Sequence, residues 1–261
     1  MQAGDKFGYI AYGESDVYHH GALLSALKLL HHCPSAKVMI ATDRPEIFNG
    51  YPVETLLLTP ELKHRMSFNG RYHFGIKAGG MIELLKRAER LIFMDADMYP
   101  VGDISKGFQS ISPDRSFMRL REGRSATYKP LAGRGIRIGS HVLTGKEVMW
   151  NSGVVGVHRD NLPALTDAYE AIPAVLDVVD THTQEQFCIG VSLSRGRLSR
   201  HRLPIRNYQT AGKKAVALQR IREFFESAGD LSIGQQIAKA ARHRLQRTPL
   251  DLWRQRHRWS F

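Results

Sequence analysis

Hydrophobic and polar positions along this chain repeat with two alternating periods. Residues 7–12 read as a first strand. In residues 18–30 the apolar side chains fall at 18, 22, 23, 26, 27 and 30, one face of a helix, and Ser15 or Asp16 stands where its cap belongs. Residues 37–42 form a second strand closed by Asp43, Arg44 and Pro45, and 53–58 a third. Residues 71–88 read as helical, although Gly79 and Gly80 cost about 1 kcal/mol each relative to Ala. Residues 91–94 are wholly apolar, as a strand buried on both faces should be, and end abruptly at Asp95, Asp97 and Pro100. Strands and helices alternating in this way predict an α/β fold. Its sheet is expected to be mixed but mostly parallel and flanked by helices, with ligands at the carboxyl ends of the strands.

Beyond the acidic pair the pattern loosens. Residues 116–120 make a further strand. Residues 121–146 hold five Gly and Pro130 with little periodicity, which predicts a mobile, basic loop over a binding cleft. Residues 149–157 return to strand, 162–172 are helical up to Pro173, and 185–193 form another short helix. From about residue 200 the sheet pattern ends and basic residues accumulate, with no internal repeats.

A chain of 261 residues suits one large domain with an appendage, here expected as a catalytic unit over 1–212 and a basic helical extension over 213–261. No apolar run is long enough to cross a bilayer, and Met1 to Lys6 lead into no signal-like core. Cys33 and Cys188 lie at no metal-binding spacing, so a reducing compartment, the cytoplasm, is expected. The net charge of +12 is uneven: residues 200–261 hold 14 Lys and Arg against four Asp and Glu, which is ten of the twelve charges. Such a tail suits a polyanionic surface, either anionic lipid or nucleic acid.

Asp95 and Asp97 are the first candidate chemistry. Two residues apart on an extended segment they share a side-chain phase, and two hard oxygen donors suit a divalent cation carrying a diphosphate. Exposed turn carboxylates are the bland alternative.

Four separated stretches then bear a joint resemblance. Ser15-Asp-Val-Tyr-His-His-Gly-Ala-Leu23, Phe93-Met-Asp-Ala-Asp97, Asn151-Ser-Gly-Val-Val155 and Glu185-Gln186 resemble, in order and rough spacing, the glycogenin-like retaining glycosyltransferases, over about residues 7–193. The resemblance implies a GT-A-type, Rossmann-like fold, a UDP-sugar donor and Mn²⁺ or Mg²⁺ as cofactor. It implies that Tyr18 stacks on uracil beside Ser15 and Asp16, and that Lys77 contacts the donor. Asp95 would meet the ribose or a metal-bound water, and Asp97 would ligate the metal. Asn151 and Ser152 would bind the sugar, with Glu185 on its hydroxyls and Gln186 near the anomeric carbon. The alternatives are a first apolar helix position for Tyr18, a solvated lysine at 77, a turn at Asn151 and an exposed helix start at Glu185.

The chain departs from that family near residue 209. The family's third metal ligand is a His in a His-x-x-Gly-x-x-Lys-Pro-Trp segment, but here Gln209 stands three residues before Gly212 and the Pro-Trp is absent. Lys213 and Lys214 remain to neutralise a diphosphate, and His201 is a substitute ligand on sequence grounds. A sugar nucleotidyltransferase and a non-catalytic nucleic-acid-binding protein are the rival classes. The first lacks its Gly-rich basic loop after the first strand, and the second leaves Asp95, Asp97 and Asn151 without a purpose. The expected partners are therefore a UDP-sugar and a glycan or lipid-linked acceptor. An anionic membrane is added for the tail: Ile233, Ile237, Ala238, Ala241 and Leu245 share one helical face, followed by Leu250, Leu252, Trp253, Trp259 and Phe261 among Arg254, Arg256 and Arg258.

Overall fold

The computed structural model describes residues 1–208 and 211–246. Strand β1 (Asp5–Ala11) leads through Gly13, left-handed at φ 107°, into helix α1 (Asp16–His32). Strands β2 (Val38–Thr42) and β3 (Glu54–Leu57) follow, then helices α2 (Pro60–Met66) and α3 (Gly75–Leu85) and strand β4 (Arg90–Met94). Next come β5 (Met98–Pro100), β6 (Arg115–Arg124), the short pair β7 (Arg137–Ile138) and β8 (His141–Val142), and β9 (Val148–His158). Helices α4 (Leu162–Leu176) and α5 (Gln184–Leu193), strands β10 (Arg197–Arg200) and β11 (Ile205–Asn207), and helices α6 (Ala211–Glu226) and α7 (Ile233–Arg242) complete the described chain.

Seven strands form one sheet in the order β10-β6-β9-β4-β1-β2-β3. β9 runs antiparallel to both β4 and β6, and the other four pairings are parallel. The expected mixed, mostly parallel α/β sheet is thus present. A bidentate ion pair between buried Asp5 and Arg90, at 2.7 and 2.9 Å, clamps the starts of β1 and β4.

The period-two phase of β4 splits the core. Leu91 and Phe93 face one layer with α3, α4 and α5, whereas Ile92 and Met94 face the other with α1 and α6. Gly79 and Gly80 of α3 are contact points: a Cβ on Gly79 would come within 2.7 Å of Met66, and one on Gly80 equally close to Ile10. Their propensity cost therefore secures a close approach of α3 to α2 and to β1.

Several expected boundaries are corrected. The helix expected over 71–88 begins only at Gly75, and α2 precedes it. α4 runs through Pro173 to Leu176, because buried Ile172 and Val175 pin its last turn to the core. Residues 121–146 are no mobile loop: β6 extends to Arg124, a 3-10 turn spans Ala126–Leu131, and Tyr128, Leu131, Ile138 and Leu143 are buried. The sheet pattern also continues past residue 200, where β11 pairs antiparallel with β5.

The described part of the basic tail packs on α1. Ala217, Ile221 and Phe224 of α6 are buried, and Phe225 stacks on His20 at 4.4 Å. On α7 the buried residues are Gln236 and Ala240, with Leu245 beyond, while Ala238 of the expected apolar face is exposed. Ser232 and Gln235 close a capping box on this helix. The aromatic and basic residues from Arg247 to Phe261, including Leu250, Leu252, Trp253, Arg254, Arg256, Arg258 and Trp259, lie outside the described residues, as does Gln209.

Lys28 of α1 anchors α7 by donating to the carbonyl oxygens of Ala240 (2.5 Å) and His243 (2.6 Å). Burial lowers its pKa to about 8, against 10.5 for a free lysine. Between those values the unfolded chain binds the extra proton, so the Lys28 contribution to stability becomes more favourable as pH rises. The stability difference between wild type and Lys28→Met is expected to shift toward wild type between pH 8 and 10, by about 1 kcal/mol per pH unit. Thermal melts of both proteins across that range measure it, and a pH-independent difference contradicts the assignment.

Candidate active site

Strand phase places Asp95 on the same face as Phe93, toward α3, and there it meets Lys77. The Lys77 ammonium lies 2.8 and 2.9 Å from the two Asp95 oxygens, 2.9 Å from the Ser152 hydroxyl and 3.4 Å from Glu185 Oε1. Ser152 Oγ in turn donates to Glu185 Oε1 at 3.0 Å. Glu185 lies in the first turn of α5 but is only 4% exposed, so the exposed-helix-start alternative does not hold. Tyr72 secures its other oxygen with a hydroxyl at 3.0 Å, and that hydroxyl also accepts the Glu185 N–H.

Beside this network Gln186 and Asn151 share one further acceptor. Gln186 Nε2 donates to Glu122 Oε2 at 2.9 Å and Asn151 Nδ2 donates to Glu122 Oε1 at 3.0 Å, while the Ser152 N–H reaches Gln186 Oε1 at 3.3 Å. Glu122, on β6, and Tyr72, on the turn before α3, belong to no short motif. Only their position in the sheet and turn brings them here. Gly153 is a point of close approach: a Cβ there would clash with the Met98 side chain and stand 3.0 Å from Asn151 Oδ1 and 3.4 Å from the Asp95 carboxylate.

One ammonium thus serves two carboxylates. Burial opposes the charge on Lys77, but Asp95 and Glu185 outweigh it and hold its pKa above that of a free lysine. Burial raises the pKa of Asp95; Lys77 offsets this in part, and Glu185 reinforces it.

The two acidic residues do not lie on an extended segment. Asp95 to Asp97 form a turn, closed by the Met98 N–H on the Asp95 carbonyl at 2.9 Å. Asp97 is 9% exposed and lies on the side of Tyr208 and Tyr18. Burial, then the charge of Asp97, raises the pKa of the Tyr208 phenol, whose hydroxyl donates to the Ala96 carbonyl at 3.2 Å. α1 crosses this turn at Gly21, where a Cβ would meet both the Tyr208 hydroxyl and the Ala96 carbonyl.

Tyr18 is 44% exposed, unlike the other apolar residues of its helix, which excludes a core role for its ring. Lys214 of α6 holds its ammonium 5.6 Å from that ring, and Lys213 is exposed. Ser15 sits at the N-cap of α1 without a side-chain capping bond, and Asp16 pairs with Arg44. Behind them a cleft of about 340 Å³ is lined by Gly13, Asp43, Arg44, Leu58 and Lys63 among others. Asp43 orders it by accepting from the Gly13 N–H, His19 Nε2 and Lys63. Burial pushes the Asp43 pKa up, but Lys63, the Gly13 N–H and His19 together hold it below the usual carboxylate value.

Hard carboxylate oxygens are the ligands a divalent cation takes, and this turn carries two such residues, with both Asp95 oxygens engaged by Lys77. Asp95 and Asp97 offer hard oxygens, and no third His, Cys, Asp or Glu joins them among the described residues. Such a pair suits an ion whose other ligands are phosphate oxygens and water. His201 is not brought to the pair: its ring lies against Phe117, and Phe117 pairs with the residue opposite Ile92, three positions before Asp95.

No family model matches the sequence, and no curated protein sequence matches it either. Among solved structures the fold is similar to that of the galactosyltransferase LgtC, crystallised with donor and acceptor sugar analogs. The TM-score is 0.57 at 13% identity, over 96% of this chain and 99% of that one. The fold is therefore of the GT-A type.

Removing the Lys77 cation should leave buried Glu185 and half-buried Asp95 without their counter-charge and mutually repelling. Lys77→Met is expected to lose about 3 kcal/mol of stability, and adding Glu185→Gln should restore part of it. Denaturant titrations of the single and double variants decide this. Equal stability of Lys77→Met and wild type contradicts the network.

Proposed function

We propose that this chain is a metal-dependent glycosyltransferase that moves a hexose from a UDP-sugar to a hydroxyl of a glycan or glycolipid acceptor, with retention. The observation that carries the reading is the partly buried Lys77–Asp95–Ser152–Glu185 network beside the Asp97 turn, at the carboxyl end of β4 where such sheets bind ligands. The GT-A fold, shared with an enzyme that takes a donor and an acceptor sugar, supports it.

In this reading Tyr18 stacks on the uracil, and Lys213 and Lys214 face the diphosphate. Asp95 and Asp97 hold Mn²⁺ or Mg²⁺, which when bound neutralises charge on the phosphate oxygens. Asn151, Ser152 and Glu185 orient the hexose through its hydroxyls, since amide, hydroxyl and carboxylate together match groups that both donate and accept.

The engaged hydrogen bonds argue for retention. Both Glu185 oxygens are held, by Tyr72 on one side and by Ser152 and Lys77 on the other, so Glu185 orients rather than deprotonates. The Gln186 carbonyl oxygen accepts the Ser152 N–H, and its amide is fixed by Glu122. Neither is a free nucleophile or base. The acceptor hydroxyl then attacks the anomeric carbon on the face from which UDP departs. The carbon–oxygen bond to the phosphate breaks, and the hydroxyl proton passes to the leaving phosphate oxygen.

A sugar nucleotidyltransferase is not favoured, because Gly13-Glu-Ser-Asp16 offers no basic phosphate loop. Vesicle docking by the tail rests on sequence alone. Among the described residues no helix is long and apolar enough to cross a membrane.

Asp97→Asn is nearly isosteric and should fold normally, yet abolish hydrolysis of and transfer from UDP-glucose or UDP-galactose in Mn²⁺. Product NMR of the wild type should show the donor's anomeric configuration. Tyr18→Ala should weaken UDP binding by about 1–3 kcal/mol, read by calorimetry. A folded Asp97→Asn protein with most of the wild-type turnover sinks the metal assignment.

A further inference from the structure

Phe74 is 41% exposed, and it follows a turn held by several backbone and side-chain contacts. Phe68, Asn69 and Gly70 adopt successive left-handed conformations, at φ 54°, 60° and 84°. Ser67 closes that turn by accepting the Gly70 N–H at 3.1 Å, and its carbonyl accepts the Tyr72 N–H at 3.0 Å. The Phe68 ring stacks on Tyr169 at 4.7 Å, and Arg71 pairs with Asp177 at 2.6 Å. The exposed phenyl ring is therefore carried on a fixed base.

Other rings surround it. Tyr72, His73 and His182 have ring centroids 5.9, 6.2 and 6.3 Å from that of Phe74, and Tyr12 continues the row 4.8 Å beyond His73. His73 and His182 are exposed too. The row borders the polar network on two sides: Phe74 lies one helical turn before Lys77 and His182 three residues before Glu185. Tyr72 joins them directly, since its hydroxyl lies 2.9 Å from the His182 carbonyl and 3.0 Å from Glu185. A single exposed apolar side chain is ordinary on a protein surface. An ordered aromatic row along the rim of a buried donor and acceptor cluster is a different feature.

A pyranose ring has the matching chemistry, with hydroxyls along its edge and polarised C–H bonds on its faces. The C–H face packs on the electron-rich face of an aromatic ring, while the hydroxyls reach fixed polar groups. We infer that Phe74, flanked by His73 and His182, is a stacking platform for a pyranose ring entering the Lys77–Glu185 site. The inference rests on the glycosyltransferase reading and deepens it by assigning a sugar subsite. The ring comes either from the hexose of the donor or from the acceptor.

The test uses full-length wild type, Phe74→Ala and Phe74→Tyr. Phe74 touches only the rim, so the alanine variant should fold. Calorimetry in Mn²⁺ with UDP, UDP-glucose and UDP-galactose reads the donor arm. Transfer to methyl β-lactoside, methyl β-galactoside and methyl α-glucoside reads the acceptor arm. If the donor hexose stacks, Phe74→Ala weakens UDP-hexose binding about tenfold and leaves UDP binding unchanged. If the acceptor stacks, UDP-hexose affinity is unchanged and the acceptor KM rises about tenfold. Phe74→Tyr keeps wild-type values in both arms. Wild-type behaviour of Phe74→Ala toward UDP-hexose and toward every glycoside that the wild type uses overturns the platform alone; so does an unchanged UDP-hexose affinity when the wild type uses none of them. A wild type that binds neither UDP nor UDP-hexose overturns the transferase reading itself.

Discussion

A single buried ammonium shared by two carboxylates is the interaction on which the site depends. Lys77 reaches Asp95, Ser152 and Glu185 from the first turn of α3, so helix, strand ends and α5 must all arrive in register around it. A charge removed from water is stable only when each partner is present. The surrounding architecture supplies that condition. Gly79 and Gly80 let α3 press against α2 and β1, antiparallel β9 brings Ser152 beside the end of β4, and Tyr72 holds Glu185 in place. Such a network favours one geometry over its near neighbours, which is what positioning a sugar by its hydroxyls requires.

The same constraint reaches the opposite layer of the fold. The turn after Asp95 is fixed from one side by Lys77 and from the other by the Tyr208 hydroxyl on Ala96, with α1 passing closely at Gly21. α6 then carries Lys214 to Tyr18, and Lys28 holds α7 against α1. The described part of the tail is thus continuous with the core beneath Tyr18, the side proposed for the nucleotide. Lys214 is the positive charge that it brings beside the Tyr18 ring.

Where the sequence was legible, the physics was local. The apolar run at 91–94 reads as a doubly buried strand because period and burial agree, and the apolar face of 18–30 predicts α1 in the same way. Tyr18 breaks that face by remaining exposed, a fact that periodicity alone does not show. α2 was missed because Pro60–Met66 is short and largely polar, and the packing of 121–146 because its apolar residues are too widely spaced for either period. Tyr128 nevertheless stacks on Phe187 at 3.9 Å, a contact across 59 positions of sequence. Glu122, Tyr72, Asp43 and Phe74 are single residues whose meaning is wholly tertiary. Asp95, Lys77, Asn151, Ser152, Glu185 and Gln186, by contrast, were named from sequence and meet in one place, although the roles given to them remain proposals.

In the proposed function this site holds a nucleotide diphosphate through a divalent cation. Calorimetric titration of UDP into the full-length protein, with Mn²⁺ and after its removal by chelation, tests that claim most directly. The expected result is saturable binding of one UDP per chain that weakens sharply without the metal and is competed by a UDP-hexose. A folded protein that binds UDP in neither condition, or equally well in both, contradicts it.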